Sequence, residues 1–227
     1  MVKITKELLS ELELFDSATV QNAGVIIKGY TEASNDYTNP DISRHVKIKN
    51  CRVGIAHTST WTPITPPKKD PANKNDFYET ILKNNLPTIA VLKDVDIINK
   101  RGAIIGDGMA YIMNRLGAVG AIVDGNSRDI LGIKKSGLDL WSTGVVPGHA
   151  QFEMIEYNIS LSICDLTVNP GDILVCDDDG ITKVNPELLA ETVKVSHEVR
   201  QKESNSHKYF LQKDFTKKKW EDWKRSN

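Results

Sequence analysis

The chain has 227 residues, 40% of them hydrophobic and 26% charged, so it is long enough and apolar enough to bury a core of its own. Its formal net charge of −1 gives no electrostatic reason to expect a nucleic acid or an anionic membrane as a partner. The three cysteines have no C-x-x-C spacing, the N-terminus is charged, and no long apolar run occurs, which together predict a cytoplasmic protein with reduced, buried thiols.

The N-terminal region predicts two short helices. Residues 5–14, "TKELLSELEL", place three leucines on one face, and Thr5 can cap the first turn. Residues 16–24, "DSATVQNAG", begin with capping residue types, and Gly24 is expected to end the second helix.

The centre of the chain predicts a parallel crossover. Residues 77–86 form a helical pattern that stops before a proline, and residues 88–95 form a strand. Residues 106–117, "GDGMAYIMNRLG", have apolar side chains at helical spacing, and the apolar run 118–123 follows as another strand. A strand, a helix and a strand in this order indicate that the two strands are parallel neighbours.

The flanking segments complete a single α/β domain. Residues 46–61 are rich in strand-forming types, and residues 62–76 hold four of the nine prolines, which predicts a long loop. The sequence "ILVCDDDGITKV" (173–184) predicts a hairpin that turns at its Asp-Gly pair. We expect one domain over residues 1–227, with a core at about 15–186 and a helical extension at about 187–227.

A candidate site lies at the two turns of the crossover. Gly106 and Gly108 let the backbone approach a ligand, and the free N–H groups of the first helical turn favour a carboxylate or phosphate. Asp107 lies in this turn and can act either as a helix cap or as a site residue. Arg128 and Asp129 follow the next strand, after twenty intervening residues. Because ligands collect at the carboxyl edge of such sheets, these side chains are expected to converge.

The order of several sequence blocks resembles the RraA-like family, which contains class II 4-hydroxy-4-methyl-2-oxoglutarate aldolases and RraA regulators of ribonuclease E. The blocks are "FDSATVQNAG", "GIAHTSTW", "GDGMAYIMNRLGAVGAIVDGNSRD", "TVNPGDILVCDDDGITKVNPE" and "RQKE", spread over about residues 15–203. The resemblance implies a β/β/α swivelling fold with a mixed sheet. The proline-rich loop and the sequence "GDGMA" differ from the pattern of a typical aldolase of this family.

The resemblance implies a metal-dependent lyase. Such an enzyme cleaves 4-hydroxy-2-oxo acids to pyruvate and decarboxylates oxaloacetate as a side activity. Asp129 would bind Mg²⁺ or Mn²⁺, since one carboxylate suits a cation that takes its other oxygens from water and substrate. Arg128 would pair with the oxygens of the pyruvyl group, because its planar fork matches a carboxylate or an enolate.

The remaining roles implied by the resemblance lie at the helix start and on another subunit. The backbone around Gly106, Gly108 and Met109 would hold the substrate carboxylate, and Asp107 would orient a water that serves as the base. The "RQKE" block makes Glu203 the expected acidic residue from a neighbouring subunit's C-terminal helix, with Glu198 as the second choice, although either is equally explained as an exposed helix residue. This arrangement implies a homotrimer or a hexamer with the active site between subunits.

Several other functions are weaker alternatives. A non-catalytic regulator of ribonuclease E shares the fold, and fold does not fix function. The sequence "CDDDG" lacks the spacing of a calcium loop and fits a hairpin turn better. His57 can line the pocket or be an ordinary hydrogen-bonded histidine. The basic segment 217–225 predicts a solvated terminal helix, and the tail with Trp220 and Trp223 is expected to pack on a neighbour rather than bind a ligand.

Overall fold

The computed structural model describes residues 4–67 and 70–226. Within these residues, an α/β fold is built around a nine-stranded mixed sheet with helices packed against it, and a small two-stranded sheet lies apart. This confirms the predicted fold class. Lys68 and Lys69 of the predicted loop, like residues 1–3 and Asn227, lie outside the described residues.

Within the described residues, helices and strands alternate in the middle of the chain, from β2 to β6, and helices occupy both ends. The helices are α1 (Lys6–Leu12), α2 (Ser17–Lys28), α3 (Ala33–Asp36), α4 (Lys74–Lys83), α5 (Asp107–Leu116), α6 (Ile130–Ser136), α7 (Leu189–Phe210) and α8 (Lys217–Ser226). The strands are β1 (Ser43–Val46), β2 (Arg52–Thr62), β3 (Thr88–Asp94), β4 (Ala103–Ile105), β5 (Ala118–Ser127), β6 (Asp139–Val145), β7 (Glu153–Tyr157), β8 (Leu161–Ile163), β9 (Leu166–Val168), β10 (Ile173–Cys176) and β11 (Ile181–Val184).

The sheet has a parallel centre and antiparallel flanks. Its order is β1-β6-β5-β3-β2-β10-β11, with β4 paired to β5 and β7 paired to β2. The pairs β2·β3, β3·β5, β4·β5 and β5·β6 are parallel, and the predicted crossover from β3 to β5 is therefore confirmed. Parallel strands end at the same edge, so the residues that follow β3, β4 and β5 come together there.

The second helix is longer than its sequence predicts. Asp16 caps α2, because its side chain accepts a hydrogen bond of 2.7 Å from the backbone N–H of Thr19. The helix then continues through Gly24 and ends at Lys28, where Gly29 takes the left-handed conformation with φ +81°. The prediction that Gly24 ends the helix was wrong. A helical glycine costs only about 1 kcal/mol, and the packing of α2 against α7 outweighs it.

The region after Asp129 differs most from the prediction. The sequence after Asp129 predicts strands and a loop but no helix; the strand β6 agrees with this prediction, and the helix α6 does not. The predicted loop 62–76 also gives way to helix at Lys74. The tail packs on its own chain, since the rings of Phe210 and Trp223 lie 5.0 Å apart.

The hairpin of β10 and β11 is confirmed, and its acidic turn has structural partners. The Asp177 carboxylate accepts hydrogen bonds from the backbone N–H and the hydroxyl of Ser17, at 2.6 Å and 2.7 Å. Asp178 forms an ion pair of 2.9 Å with Arg44. These contacts explain the "CDDDG" turn without calcium.

The interior is apolar on both faces of the sheet, and Trp61 and Trp141 are fully buried. The three cysteines are also buried, and they form no disulfide. Burial raises the pKa of the Cys51 thiol to about 12, so it stays protonated and inert at neutral pH. None of the helices of residues 4–67 and 70–226 has the length and apolar composition of a membrane span.

Candidate active site

The pairing of β4 with β5 brings two chain turns together. Ile105 at the end of β4 pairs with Ser127 at the end of β5, and the N–H of Arg128 donates to the carbonyl of Ile105 at 3.0 Å. The chain then enters α5 on one side and α6 on the other. Residues 106–109 and 128–129 therefore lie side by side, although twenty residues separate Asp107 from Arg128 in the sequence.

Gly106 leaves the space that the ion pair occupies. A Cβ atom at this position would lie 2.7 Å from Oδ2 of Asp129 and 3.1 Å from Nε of Arg128. The backbone of Gly106 is extended, with φ −129° and ψ −174°, which any residue can adopt. Glycine is therefore required here for the close approach of the two side chains, and not for an unusual backbone conformation.

The start of α5 presents N–H donors that no side chain of the described residues caps. Gly106 is the N-cap and has no side chain to accept from them, and the first N–H bonded within the helix is that of Ala110, which donates to Gly106. Asp107 is the first helical residue and does not cap the helix. The space around Gly108 is open, and a Cβ atom at this position would meet no atom within 4 Å. An anion can reach these donors from the solvent.

The side chain of Asp107 lies against α6. A Cβ atom at Gly132 would lie 2.6 Å from both Cβ and Oδ2 of Asp107. The absence of a side chain at Gly132 therefore leaves the space that the side chain of Asp107 occupies. Sequence reasoning missed Gly132, because the helix that carries it was not predicted. The signal that could have found it is a short helical pattern, "ILGIKKSG", that starts after Asp129 and ends at a glycine.

Arg128 and Asp129 form an ion pair that solvent can reach. Nε of Arg128 lies 3.2 Å from Oδ2 of Asp129, and their side chains are 35% and 41% exposed. Asp129 has a left-handed backbone, with φ +55° and ψ +40°, at the N-cap of α6. Non-glycine residues rarely adopt this conformation, and they do so mainly at functional or tightly constrained positions. The pair is thus held by its backbone at an open surface.

The acidic residues of α7 lie elsewhere in the same chain. Glu203 lines a groove of about 510 Å³ between α2, α7 and α8, together with Val25, Phe210 and Trp223. None of the residues that line this groove belongs to the Asp107 turn or to the Arg128–Asp129 pair. Oε1 of Glu198 lies 3.9 Å from Nζ of Lys194 on the surface of α7.

His57 is a half-buried, hydrogen-bonded residue beneath α4. Its Nδ1 lies 3.1 Å from Oγ1 of Thr80, and its Nε2 lies 3.3 Å from Nδ2 of Asn84. Burial lowers the pKa of His57, which favours the neutral ring. Both ring nitrogens have structural partners, which favours the ordinary interpretation of this histidine.

The donor set at this edge fits a hard divalent cation held largely by water and substrate. No group of three His, Cys, Asp or Glu side chains that could hold a metal occurs in the described residues, so a closed structural site is not formed there. Asp129 offers one carboxylate with solvent access, and Gly106 keeps the space beside it free of a side chain. Mg²⁺ and Mn²⁺ accept a single protein carboxylate with oxygens from other sources.

A protein-family model that matches most of the chain identifies its family. The family model described as "RraA-like: Aldolase/RraA" matches residues 27–182. The chain belongs to the RraA-like family. This family includes aldolases, which are metal-dependent, and RraA regulators.

Two curated relatives of the RraA-like chain are distant in sequence. Protein DlpA of Legionella pneumophila is 26% identical over 163 residues, which are 70% of this chain and 25% of DlpA. A Halalkalibacterium halodurans protein named "Putative 4-hydroxy-4-methyl-2-oxoglutarate aldolase" is 30% identical over 131 residues, which are 50% of this chain and 62% of that protein. The chain thus spans less than two thirds of the length of these curated relatives.

Solved structures share the RraA-like architecture. Streptomyces coelicolor RraAS2, described as an unusual member of the RNase ES inhibitor RraA protein family, superposes with a TM-score of 0.69 at 24% identity. The superposition covers 91% of this chain and 98% of RraAS2. At this identity the likeness supports the fold and carries no information on activity.

Proposed function

We propose that this RraA-like chain is a divalent-metal-dependent lyase that cleaves 4-hydroxy-2-oxo acids, of the 4-hydroxy-4-methyl-2-oxoglutarate type, to pyruvate and a second oxo acid. The observation that carries the proposal is the ion pair of Arg128 and Asp129 beside Gly106 at the ends of β4 and β5, with Asp107 next to Gly106 in the chain. An anion-binding helix start, a guanidinium and two carboxylates at one edge are the groups that such a cleavage needs.

The reaction makes defined demands on these groups. Removal of the proton from the 4-hydroxyl group allows the C3–C4 bond to break, C4 becomes a carbonyl, and the electron pair forms the enolate of pyruvate. A proton added at C3 then completes pyruvate. Oxaloacetate loses CO₂ through the same enolate, which accounts for the proposed side activity. The enzyme must therefore bind a carboxylate, stabilise an oxyanion and accept a proton.

Each of these three tasks is assigned to a different group of the site. The N–H groups at the start of α5, from Asp107 to Met109, bind the C1 carboxylate of the substrate, and the open space at Gly108 admits it. The guanidinium of Arg128 donates to the 2-oxo oxygen and stabilises the enolate as charge develops. Asp107, held against Gly132, orients a water that takes the hydroxyl proton.

Asp129 is the proposed protein ligand of the metal. A divalent cation held there would supply Lewis-acid chemistry that stabilises the enolate. Asp129 has a left-handed backbone, and its carboxylate lies close to Gly106. A Cβ atom at Gly106 would lie only 2.7 Å from Oδ2 of Asp129. The ion pair with Arg128 keeps the carboxylate and the guanidinium on the same side of the site.

The site is proposed to be completed by another subunit. Asp107, Gly108 and Asp129 are exposed in one chain, whereas an enolate is protected best where water is excluded. Apolar side chains in the middle of α5 and at the start of α6 are also exposed: Tyr111 and Ile112 at 45% each and Leu131 at 78%. A second copy of the chain, carrying Glu203 on its α7, would cover this surface in a trimer or a hexamer.

The test is pyruvate release from a panel of 4-hydroxy-2-oxo acids and oxaloacetate, with Mg²⁺ or Mn²⁺ and then with EDTA. We expect activity that EDTA abolishes and added metal restores. Arg128→Ala and Asp129→Asn should each lower kcat/KM by about 100-fold or more, because each removes a charge from the developing enolate or its metal. Asparagine tolerates the left-handed backbone of position 129, so the second variant should fold.

The control is Arg115→Ala, which removes an arginine from the last turn of α5 and should leave activity unchanged. Full activity in Arg128→Ala would exclude the enolate role of this residue. The alternative, a non-catalytic regulator of ribonuclease E, predicts no pyruvate release with any metal together with capture of a ribonuclease by the wild-type chain.

A further inference from the structure

A cavity of about 360 Å³ lies between α2, α3, the last strand of the sheet and the start of α7. We name it the β11 cavity, after the strand residues Thr182, Lys183 and Val184 that line it. None of the described residues that line it belongs to the candidate active site, and its volume lies at the lower end of the range for small-molecule sites. Its lining combines ion pairs, hydroxyl groups and apolar side chains, which together restrict what it can bind.

The charged side chains of the cavity leave one carboxylate unmatched. Lys28 forms an ion pair with Asp36, and Nζ of Lys183 lies 3.6 Å from Oδ2 of Asp172. Glu32 is the third acidic residue of the described lining, and it forms no ion pair within the described part of the chain. Three acidic side chains thus face two lysines, so the described lining carries one excess negative charge and favours a cation.

Asp172 has an oxygen that the protein does not use. Its Oδ2 accepts a hydrogen bond of 2.8 Å from the N–H of Asn169 and faces Lys183, whereas its Oδ1 accepts none from the described residues. The ammonium group of Lys183 is in contrast occupied, since it donates to the carbonyl of Thr167 at 2.6 Å and lies 3.5 Å from Oδ1 of Asn35. A ligand therefore meets an available carboxylate oxygen beside a lysine whose donors are already engaged.

Two threonines of the lining add neutral acceptors. Thr182 and Thr192 are 5% and 3% exposed, and neither hydroxyl group forms a hydrogen bond with another described residue. The hydroxyl oxygens of the described residues that are closed to solvent and lack a partner are those of Thr62 and Ser196, so the oxygens of Thr182 and Thr192 keep an accessible surface. Because the hydroxyl groups of nearly buried residues are normally hydrogen-bonded, these two offer acceptors to a bound ammonium group.

The remaining walls are apolar and suit a short hydrocarbon chain. They include Val20 of α2, Val184 of β11 and Leu188 just before α7. An anion has little to bind in this cavity, because both lysines already have carboxylate partners and the unmatched carboxylate repels it. A ligand with a positive head and an apolar body therefore fits the lining best.

We propose that the β11 cavity binds a small organic monocation, an amine whose ammonium group is held by Glu32 and Asp172 and whose short hydrocarbon body packs on Val20, Val184 and Leu188. Charge-assisted hydrogen bonds to the two carboxylates supply the recognition of the head, and burial of apolar surface supplies the rest of the affinity. This ligand class has the opposite charge to the oxo acids of the proposed lyase reaction, and the inference does not depend on that reaction.

The experiment compares four probes that share a branched hydrocarbon chain: isoamylamine, isoamyl alcohol, isocaproate and leucine. They are titrated into the full chain by calorimetry and ligand-observed NMR. Isoamylamine should bind about tenfold more tightly than the alcohol, the ratio that one charge-assisted hydrogen bond provides. Isocaproate and leucine should bind more weakly than the amine, because each brings a carboxylate to a lining with excess negative charge. The proposal is overturned if isoamylamine does not bind, or if any of the other three probes binds as tightly.

Neutral variants of the two carboxylates separate the charge from the apolar contacts. Glu32→Gln and Asp172→Asn should each lower the affinity for isoamylamine about three- to tenfold and leave the affinity for isoamyl alcohol unchanged. In Asp172→Asn the new amide oxygen can still accept from the N–H of Asn169. The matched control is Glu191→Gln, which makes the same change of net charge at an exposed position of α7 outside the cavity and should bind both probes like the wild type. Wild-type affinity for isoamylamine in either of the first two variants contradicts the proposal.

A change of sign at Gln21 tests the location, whether or not Asp172→Asn folds. Gln21 lines the cavity from α2, and it is partly exposed, so the helix tolerates a charged residue there. Gln21→Lys should weaken the binding of isoamylamine at least about threefold, and Gln21→Glu should strengthen it by a similar factor, while the alcohol should bind both variants like the wild type. Equal affinities of the two variants for isoamylamine would show that the amine binds elsewhere and would overturn the proposal.

Discussion

Because Gly106 has no Cβ atom, it leaves the space in the candidate active site that the side chains of Arg128 and Asp129 occupy. Gly106→Ala would bring Cβ to 2.7 Å from Oδ2 of Asp129 and to 3.1 Å from Nε of Arg128. Both side chains must then move, since such a separation is below van der Waals contact. We expect a loss of about 10- to 100-fold in pyruvate release and a weaker affinity for Mn²⁺, measured by electron paramagnetic resonance.

Gly108→Ala is the matched control for the fold. A Cβ at this position meets nothing within 4 Å, and alanine is a better helix former than glycine, so this variant should be more stable by about 0.5 to 1 kcal/mol. Its affinity for Mn²⁺ should equal that of the wild type. A Gly106→Ala variant that binds Mn²⁺ with wild-type affinity would show that Asp129 does not depend on this space.

His57 should make the protein less stable in acid. The Thr80 hydroxyl donates to the carbonyl of Phe77, so Nδ1–H of His57 donates to Oγ1 of Thr80 and the bare Nε2 accepts from Asn84. Burial lowers the pKa of His57 in the folded state. Below about pH 6.5 the histidine of the unfolded chain is therefore protonated while the ring in the folded chain is still neutral. The free energy of unfolding decreases as the pH is lowered, until the folded ring also becomes protonated.

The measurement is urea unfolding at several values between about pH 5 and about pH 8, for the wild type and for His57→Gln. The variant loses hydrogen bonds and should be less stable at neutral pH, but its stability should fall less steeply on the acid side. Equal slopes for the two proteins would contradict the assignment. The side chain of Asn84 cannot simply turn over to accept a proton from Nε2, because its oxygen already accepts from the N–H of Leu86.

At the residue scale, the predicted crossover was sufficient to bring the turns at Gly106 and Arg128 side by side, and the local pattern was insufficient to predict how the side chains fit there. The two glycines and Asp107 mark the start of a helix, and Arg128 and Asp129 mark the end of a strand, so a parallel crossover is enough to bring them to one edge. The contact between Asp107 and Gly132 could not be predicted in this way, because it depends on how two helices pack and not on local pattern. The catalytic and metal-binding roles of these residues stay predictions.

Among the elements, α2 offers a direct measure of what a helical glycine costs. Gly24→Ala adds a methyl group whose nearest neighbour is Oε1 of Gln21 at 3.8 Å, which is an ordinary contact. The variant should be more stable by about 0.5 to 1 kcal/mol in chemical denaturation, because alanine loses less backbone entropy in a helix. Gly29→Ala at the C-cap is the contrasting variant, and φ +81° there should make it less stable by about 1 kcal/mol.

Both outcomes test whether the end of α2 is set by Gly29. If Gly24→Ala destabilises the protein, the backbone at this position does not have the helical geometry seen here. The sequence favoured Gly24 as the end because glycine is common just after the last turn of a helix. The contacts of α2 with α7 and β11 lie far away in sequence and override that local signal.

The elements that the sequence predicted well share strong local patterns. The capped helix α1, the strands β3 and β5 with α5 between them, and the hairpin of β10 and β11 have clear periodicity and clear turn residues. The missed helix α6 is short and mixed in composition, and the strand β4 has only three residues. The helix α6 packs against α5, β1 and β6, and β4 pairs with β5, so the stability of both elements is a property of the tertiary structure.

At the scale of the whole molecule, the position of Glu203 bears on the proposed oligomer. Within one chain, Glu203 lies in the groove between α2, α7 and α8, and none of the residues around it belongs to the Arg128–Asp129 pair. A role for Glu203 in the proposed reaction therefore requires a second copy. The exposed turns of Asp107 and Asp129, with exposed apolar residues such as Leu131 nearby, provide the surface that this copy would cover.

Mixing two inactive variants tests whether the active site is shared. Arg128→Ala and Glu203→Gln should each be inactive alone. After the two proteins are dissociated together and reassembled at equal amounts, a site has an intact Arg128 in half of the cases and an intact neighbouring Glu203 in half of those. Pyruvate release should therefore return to about one quarter of the wild-type rate, because subunits combine at random in a symmetric ring.

A site built within one chain predicts the opposite result, since every subunit of the mixture would lack one of its two residues and the mixture would stay inactive. The double variant Arg128→Ala, Glu203→Gln mixed with either single variant is the control, and it should give no activity in any case. Replacing Glu203→Gln by Glu198→Gln in the same protocol decides which of the two acids on α7 takes part. Recovery with Glu203→Gln, together with full activity of Glu198→Gln alone, assigns the shared role to Glu203, because only a residue that reaches a neighbouring subunit's site can be complemented by a second chain.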